Sequence, residues 1–255
     1  MAQMSLKEYF QTDQDTLEKT TKGFADLYSL AQVELNSFTT LFSDIPVQLP
    51  SGSVEDAAGP LAHHLLLAMS ARHFAGALSS VLRGHTDFFV PVLRSAVEAA
   101  AYASKIQRHP QLGVVWINRR HDEAKFDKKF RPIEIKLFGH ESLHNLWRDY
   151  QLLSQYGTHG NPESTYTLSQ MEKGGMAMTF GCTDPGSVAM WLMYICRVGE
   201  RMLKDVYLPI GKHERKVLPA ELLRLENQMQ TEMSQCLPRY KQLYETRKTQ
   251  RGQKS

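Results

Sequence analysis

Residues 87–104 read DFFVPVLRSAVEAAAYAS, and this stretch decides the fold. Apolar side chains fall on nearly every face of its helical projection, so a helix here needs neighbours on most sides. Those neighbours are legible on both flanks. Arg83, Gly84 and His85 form a short connection back to a helix over Leu61 to Leu82, which makes an antiparallel helix pair. On the other flank Pro110 ends the helix near Arg108 and opens a third one from Leu112 to Phe130. After Arg131 and Pro132, a break near Gly139 precedes a helix from His140 to Tyr156. Apolar residues recur at helical spacing in all these segments, and sustained period-two alternation is almost absent. The expected fold is therefore all-α, an antiparallel helical bundle.

The periphery reads as additions to that bundle. Tyr9, Leu17, Phe24, Leu27, Leu30 and Phe38 lie on a broad stripe with a break near Gly23, which predicts an N-terminal helical hairpin over residues 1–44. Residues 45–59 read as a linker, with three Pro, two Gly and three Ser between positions 43 and 60. The helix after it is expected to start with Pro60 near its first position. The bundle core then spans 60–210, with a C-terminal helix and basic tail at 211–255. Within the core, residues 157–186 hold six Gly and two Pro, and TYTL with GMAMTFG suggests a small β-hairpin near 165–181.

Composition narrows the function classes. The chain has 255 residues, 42% of them apolar and 22% charged, the profile of a globular domain and neither a disordered nor a fibrous one. Its net charge is only +3, yet residues 1–60 hold three Lys against nine Asp or Glu, so the remainder carries +9. An acidic N-terminal segment is thus expected to pack on, or cover part of, a basic body. The opening residues MAQMSLKEYF lack a basic start followed by an apolar stretch, which predicts a cytoplasmic protein. The longest uninterrupted apolar run, VAMWLMYIC at 188–196, is about half of the ~20 residues that span a bilayer as a helix. No membrane association is expected. Cys182, Cys196 and Cys236 have no close spacing and read as reduced. Trp116, Trp147 and Trp191 stand at core-packing positions, and His63, His64 and His73 read as core or boundary histidines. Phosphate loops, dinucleotide fingerprints and nucleophile elbows are missing.

Against this background Arg94, Ser95 and Glu98 interrupt the apolar helix. Arg94 and Glu98 are four residues apart, on one helix face, and an uncompensated buried charge costs several kcal/mol. Two readings follow: a structural ion pair that fixes register, or the wall of a polar pocket. The facing element is the segment RDYQLLSQYGTHGNP, in which Tyr150 lies on the buried stripe and Ser154 near its edge. His159 follows, a side chain able to act as acid or base near neutrality, though before Gly-Asn-Pro it also suits a turn.

These two segments, LRSAVEAAAY at 93–102 and YQLLSQYGTHGNP at 150–162, resemble the Arg-Ser-x-x-Glu and Tyr-x-x-Leu-Ser-x-x-x-x-His signatures of a family of bacterial helical proteins of unknown function. That family is similar to the HEPN superfamily, the nucleotide-binding domains of higher eukaryotes and prokaryotes. The resemblance covers residues 60–162 and implies a binding site of Ser95, Tyr150 and Ser154 beside catalytic Arg94, Glu98 and His159. It also implies a homodimer acting on RNA or nucleotide in a toxin or phage-defence setting. Should RNA be cleaved, His159 is the expected base toward a ribose 2′-hydroxyl, and Arg94 the stabiliser of phosphate charge. The chain departs from the superfamily's nuclease pattern, an Arg followed by His after four to six residues, because Arg148 precedes His159 by eleven.

One competing motif stands apart. HESLH at 140–144 would set His140 and His144 one helical turn apart for zinc, with Glu141 as base and Glu163 as third ligand. Such sites lie beside a β-sheet that orients substrate, and none precedes this helix in the pattern. The main reading thus requires no cofactor or metal. Its alternatives are a non-catalytic module that binds a protein partner, and a zinc hydrolase.

Overall fold

A computed structural model describes residues 6–44, 54–85, 88–130, 143–157, 169–172, 175–178 and 185–207, with single positions between 209 and 242. In chain order its elements are α1 (Leu6–Gly23), α2 (Ala25–Asp44), α3 (Val54–Leu82), α4 (Phe89–Arg108), α5 (Leu112–Ile117), α6 (Glu123–Phe130) and α7 (His144–Gly157). After these come β1 (Ser169–Glu172), β2 (Gly175–Met178), α8 (Pro185–Met202) and a π-helical turn over Leu203–Tyr207. The fold is all-α, as the periodicity requires, with one small antiparallel hairpin attached.

The central pair is α3 and α4. Gly84, at φ 80°, ends α3 in the left-handed region that glycine occupies without penalty. The Gly84 amide donates to the Val81 carbonyl and the His85 amide to that of Ser80. Both bonds satisfy carbonyls the helix end would otherwise leave open, and they reverse the chain into α4. Ser70 on α3 donates to the Ala96 carbonyl of α4 at 2.9 Å, a polar tie between two buried faces. Residues 56–82 of α3 are long and apolar enough to cross a membrane by length and composition alone. Here they form the core's central helix, with Leu66, Leu67, Phe74 and Val81 buried.

Around that pair, α2 and α8 close one side. Leu27, Leu30 and Phe38 of α2 are buried, Phe38 packs edge-on to Phe74 at 5.0 Å, and Phe38 also meets Tyr207 at 4.7 Å. The Tyr207 hydroxyl donates to the Leu67 carbonyl. The apolar run at 188–196 lies in α8, where Val188, Leu192, Ile195 and Cys196 face the core. On the opposite side Tyr102 of α4 meets Phe126 and Phe130 of α6 in edge-to-face contacts. Trp116 is buried, while Trp147 and Trp191 are partly buried against the core.

Four boundaries differ from the sequence expectation, each for a physical reason. The break near Gly23 is a single residue, Phe24, whose amide donates to Thr20 and whose carbonyl accepts from Tyr28. Helical bonds therefore continue through it, and α1 and α2 follow end to end in place of a hairpin. The linker expected at 45–59 is helical from Val54, with Pro60 inside α3. A Cβ on Gly113 would lie 2.5 Å from the Ala58 carbonyl, and one on Gly59 2.7 Å from that of Pro110. This glycine-to-glycine crossing with α5 holds the segment helical despite its proline. The helix expected over 112–130 is split at Asn118–Asp122. Asp122 caps α6 by accepting from the Lys125 amide at 3.0 Å, and a capping carboxylate starts a new helix there. In the expected hairpin Ser169 pairs with Met178 and Glu172 with Gly175, so the first strand is SQME; TYTL at 165–168 lies outside the described residues. The C-terminal helix expected within 211–255 lies almost wholly outside them too.

Candidate functional site

The sequence pairs the α4 polar residues with the Tyr150 segment, and the structure places α4 against α7. The Arg94 Nη2 donates to the Tyr150 hydroxyl at 2.8 Å, and its guanidinium lies 5.0 Å from that ring's centre. Tyr150 is buried and stacks at 5.8 Å on Trp147, one turn earlier. Arg94 is thus positioned by a hydrogen bond and a cation–π contact, a geometry a planar guanidinium suits better than an ammonium.

The buried Arg94–Glu98 ion pair of the sequence reading is corrected in two respects. Both residues are half-buried, not fully buried. Each also turns to a tyrosine: Arg94 to Tyr150 across the helix interface, and Glu98 to Tyr102, whose hydroxyl donates to its Oε1. An Arg four residues before a Glu is the weaker orientation for such a pair on a helix, so each finds a better partner. Burial, then the Glu98 charge, pushes the Tyr102 phenol far above its ordinary range, so it stays a donor at any physiological pH. Arg94 Nε is buried and makes no hydrogen bond.

Of the remaining predicted positions, Ser95 donates to the Pro91 carbonyl and Ser154 to that of Tyr150, each one turn back on its own helix. These bonds occupy both hydroxyl protons, which weakens their case as ligand donors. His159 lies outside the described residues, as do His140, Glu141 and Glu163. His144 is exposed and is the first residue of α7, and among the described residues no three His, Cys, Asp or Glu gather as a metal site. Cys196 is a buried free thiol, while Cys182 and Cys236 are outside the described residues. His63 is buried, and desolvation, then the His64 charge, pulls it down to about 4, as befits a neutral core histidine.

Sequence reasoning missed a second polar cluster, on the far side of α7. Asp149, only 3% exposed, accepts from Arg201 Nη1 at 2.6 Å on both carboxylate oxygens, and the Tyr194 hydroxyl stands 3.5 Å away. Burial raises the Asp149 pKa, against the opposing pull of Arg201. Asp205, in the π-helical turn, is pushed up to about 6, mainly by burial. Glu34 on α2 was missed as well; it is fully buried, with neither carboxylate oxygen hydrogen-bonded. Both had a readable signal, because Asp149 sits between Leu146 and Leu153 on the apolar stripe of α7, and Glu34 between Leu30 and Phe38 on that of α2.

Compared with known proteins, the chain matches no family model, no curated protein and no solved structure.

Proposed function

We propose that this is a cytoplasmic HEPN-like helical protein, of bacterial origin and acting as a homodimer, whose α4–α7 face binds RNA or a nucleotide in a toxin or phage-defence setting. One observation supports it most: Arg94, in the midst of an apolar helix, is held against Tyr150 with its Nε buried and unbonded. A half-buried guanidinium fixed in orientation and short of one partner suits a phosphate oxygen. Glu98, Tyr102, Ser95 and Ser154 complete the polar surface, and if RNA is cleaved His159 supplies the base. The test is induced expression of wild type beside Arg94→Ala and His159→Ala, recording growth and cellular RNA integrity, with each variant's folding checked by thermal melt. Toxicity and RNA breakage lost in folded variants support cleavage. A wild type that leaves growth and RNA intact, and shows no salt-dependent RNA affinity in vitro, sinks the reading.

The second reading, a non-catalytic module for a protein partner, draws on a different observation. Leu61, Leu65 and Met69 recur every fourth residue on α3 and are 38%, 42% and 38% exposed. Wild type without RNA affinity, together with a partner or second copy lost on Leu65→Glu, favours that reading.

A further inference from the structure

The connection between α3 and α4 gathers groups that the α4–α7 face does not use. Arg83 Nη1 donates to Asp13 Oδ2 of α1, and His85 Nε2 lies 2.7 Å from Asp13 Oδ1. One carboxylate is thus gripped on both oxygens by two cationic or hydrogen-bonding side chains, and its own side chain is only 11% exposed. Both gripping residues are fixed in direction by the glycine-capped end of α3, where the Arg83 amide donates to Ser79 and the His85 amide to Ser80. Three residues on, Phe88 stands at the N-cap of the 20-residue α4 and makes no side-chain cap bond. Its ring is 62% exposed and lies edge-on to His85 at 6.1 Å. The helix it precedes presents the positive end of its dipole.

We propose that Arg83, His85 and the start of α4 form a binding site for the phosphate of a nucleotide, with Phe88 as the stacking surface for its base, and that Asp13 occupies this site as an internal anion. The elements match the ligand class one for one. A guanidinium and an imidazole that seat both oxygens of a carboxylate can seat two oxygens of a phosphate, which carries more charge. A helix N-terminus adds amide donors aimed at an anion, and an exposed aromatic face stacks any base. The occupant sits on the segment whose charge is opposite to the body: residues 1–60 hold three Lys against nine acidic residues in a chain of net charge +3. The described side chains of α1 are mostly exposed and few are buried, so its departure breaks little packing. Nucleotide binding therefore competes with α1 docking, and the apparent affinity of wild type is reduced by the fraction of molecules in which Asp13 has left. This site is separate from Arg94 and stands whether or not the α4–α7 face binds RNA.

The experiment is calorimetric titration of the full chain with adenosine 5′-monophosphate, beside adenosine and inorganic phosphate. Asp13→Asn keeps the side chain's shape and removes its charge, and Asp13→Ala removes the occupant. Both should bind the monophosphate about tenfold more tightly than wild type, equivalent to about 1.4 kcal/mol. Arg83→Ala placed on Asp13→Ala should abolish the gain, whereas Arg94→Ala on the same background should leave it. Phe88→Ala should weaken the monophosphate and leave inorganic phosphate unchanged. In wild type, saturating monophosphate should raise amide hydrogen exchange in residues 6–20. Folded Asp13→Asn and Asp13→Ala proteins that bind the monophosphate no better than wild type overturn the proposal, and so does a gain that survives Arg83→Ala.

Discussion

Replacing Glu34 with glutamine should stabilise the protein at neutral pH and leave it nearly unchanged in mild acid. The Glu34 carboxyl is fully buried, neither oxygen finds a hydrogen-bond donor, and a Cβ on Gly199 would come within 2.4 Å of its Oε2. Desolvation, then the charge of Glu200, holds its pKa well above the ordinary carboxylate value. The folded chain therefore keeps the Glu34 proton at a pH where the unfolded chain has released it. Over that interval the folded state binds one more proton than the unfolded state, and stability falls as pH rises, by about 1.4 kcal/mol per pH unit. The loss starts above the unfolded carboxylate pKa and ends at the raised folded one. Glutamine has nearly the same shape and cannot ionise, so it removes this slope; at the acid end it replaces one neutral polar group with another. Urea unfolding at pH 5.0, 6.0 and 7.0 measures the effect. The difference between Glu34→Gln and wild type should be near zero at pH 5.0 and should widen by about 1.4 kcal/mol with each unit. Parallel pH profiles for the two proteins would refute a neutral, unpartnered Glu34.

Arg201→Met should destabilise by about 2 to 3 kcal/mol, since it strands the buried Asp149 carboxylate; a third of the Arg201 side chain is exposed, which keeps the loss below that of a fully buried pair. Asp149→Asn should cost less than Arg201→Met, and urea midpoints of the two variants check the order. Gly113→Ala drives a Cβ to 2.5 Å from backbone atoms of Ala58 and Gly59, and should cost about 1 to 3 kcal/mol by thermal melt, whereas Gly23→Ala, with nothing within 4 Å, should be neutral or stabilising. Tyr150→Phe keeps the ring over Arg94 and removes the hydroxyl bond; a loss of about 1 kcal/mol in stability and a measurable drop in RNA affinity are expected, the second read by fluorescence anisotropy at two salt concentrations.

The all-α bundle was legible because each core helix repeats its apolar stripe for several turns, and the α3–α4 reversal because Arg-Gly-His offers a glycine where a left-handed residue is required. What local patterns did not show are the effects of distant contacts. Pro60 argues for a helix start, and only the Gly59–Gly113 crossing, between residues 54 apart in sequence, makes the preceding turn helical. Asn118 and Asp122 do carry a stop and a start, but the mixed-charge run around them masks the change of element. The break at Gly23 was located to within one residue, yet a glycine there is equally compatible with a kink or a reversal, and the packing of α2 beside α8 selects the kink.

The candidate site shows the same division between what one helix can tell and what two decide. Arg94 and Glu98 are neighbours on one face, and a reading limited to α4 can only pair them with each other. A competing partner enters from α7, where Tyr150 offers Arg94 both a hydroxyl and a ring, and another from α4 itself, where Tyr102 caps Glu98. The outcome matters for function. A closed ion pair would have spent the Arg94 charge inside the fold, while a neutral phenol positions the guanidinium and leaves its charge uncompensated. An anion approaching this face meets a cation already oriented, and the Glu98 carboxylate, one turn away, sets a repulsive limit on where that anion can sit. Arg94→Lys should therefore keep much of the fold's stability and lose binding, because an ammonium keeps the charge without the planar fork that Tyr150 orients.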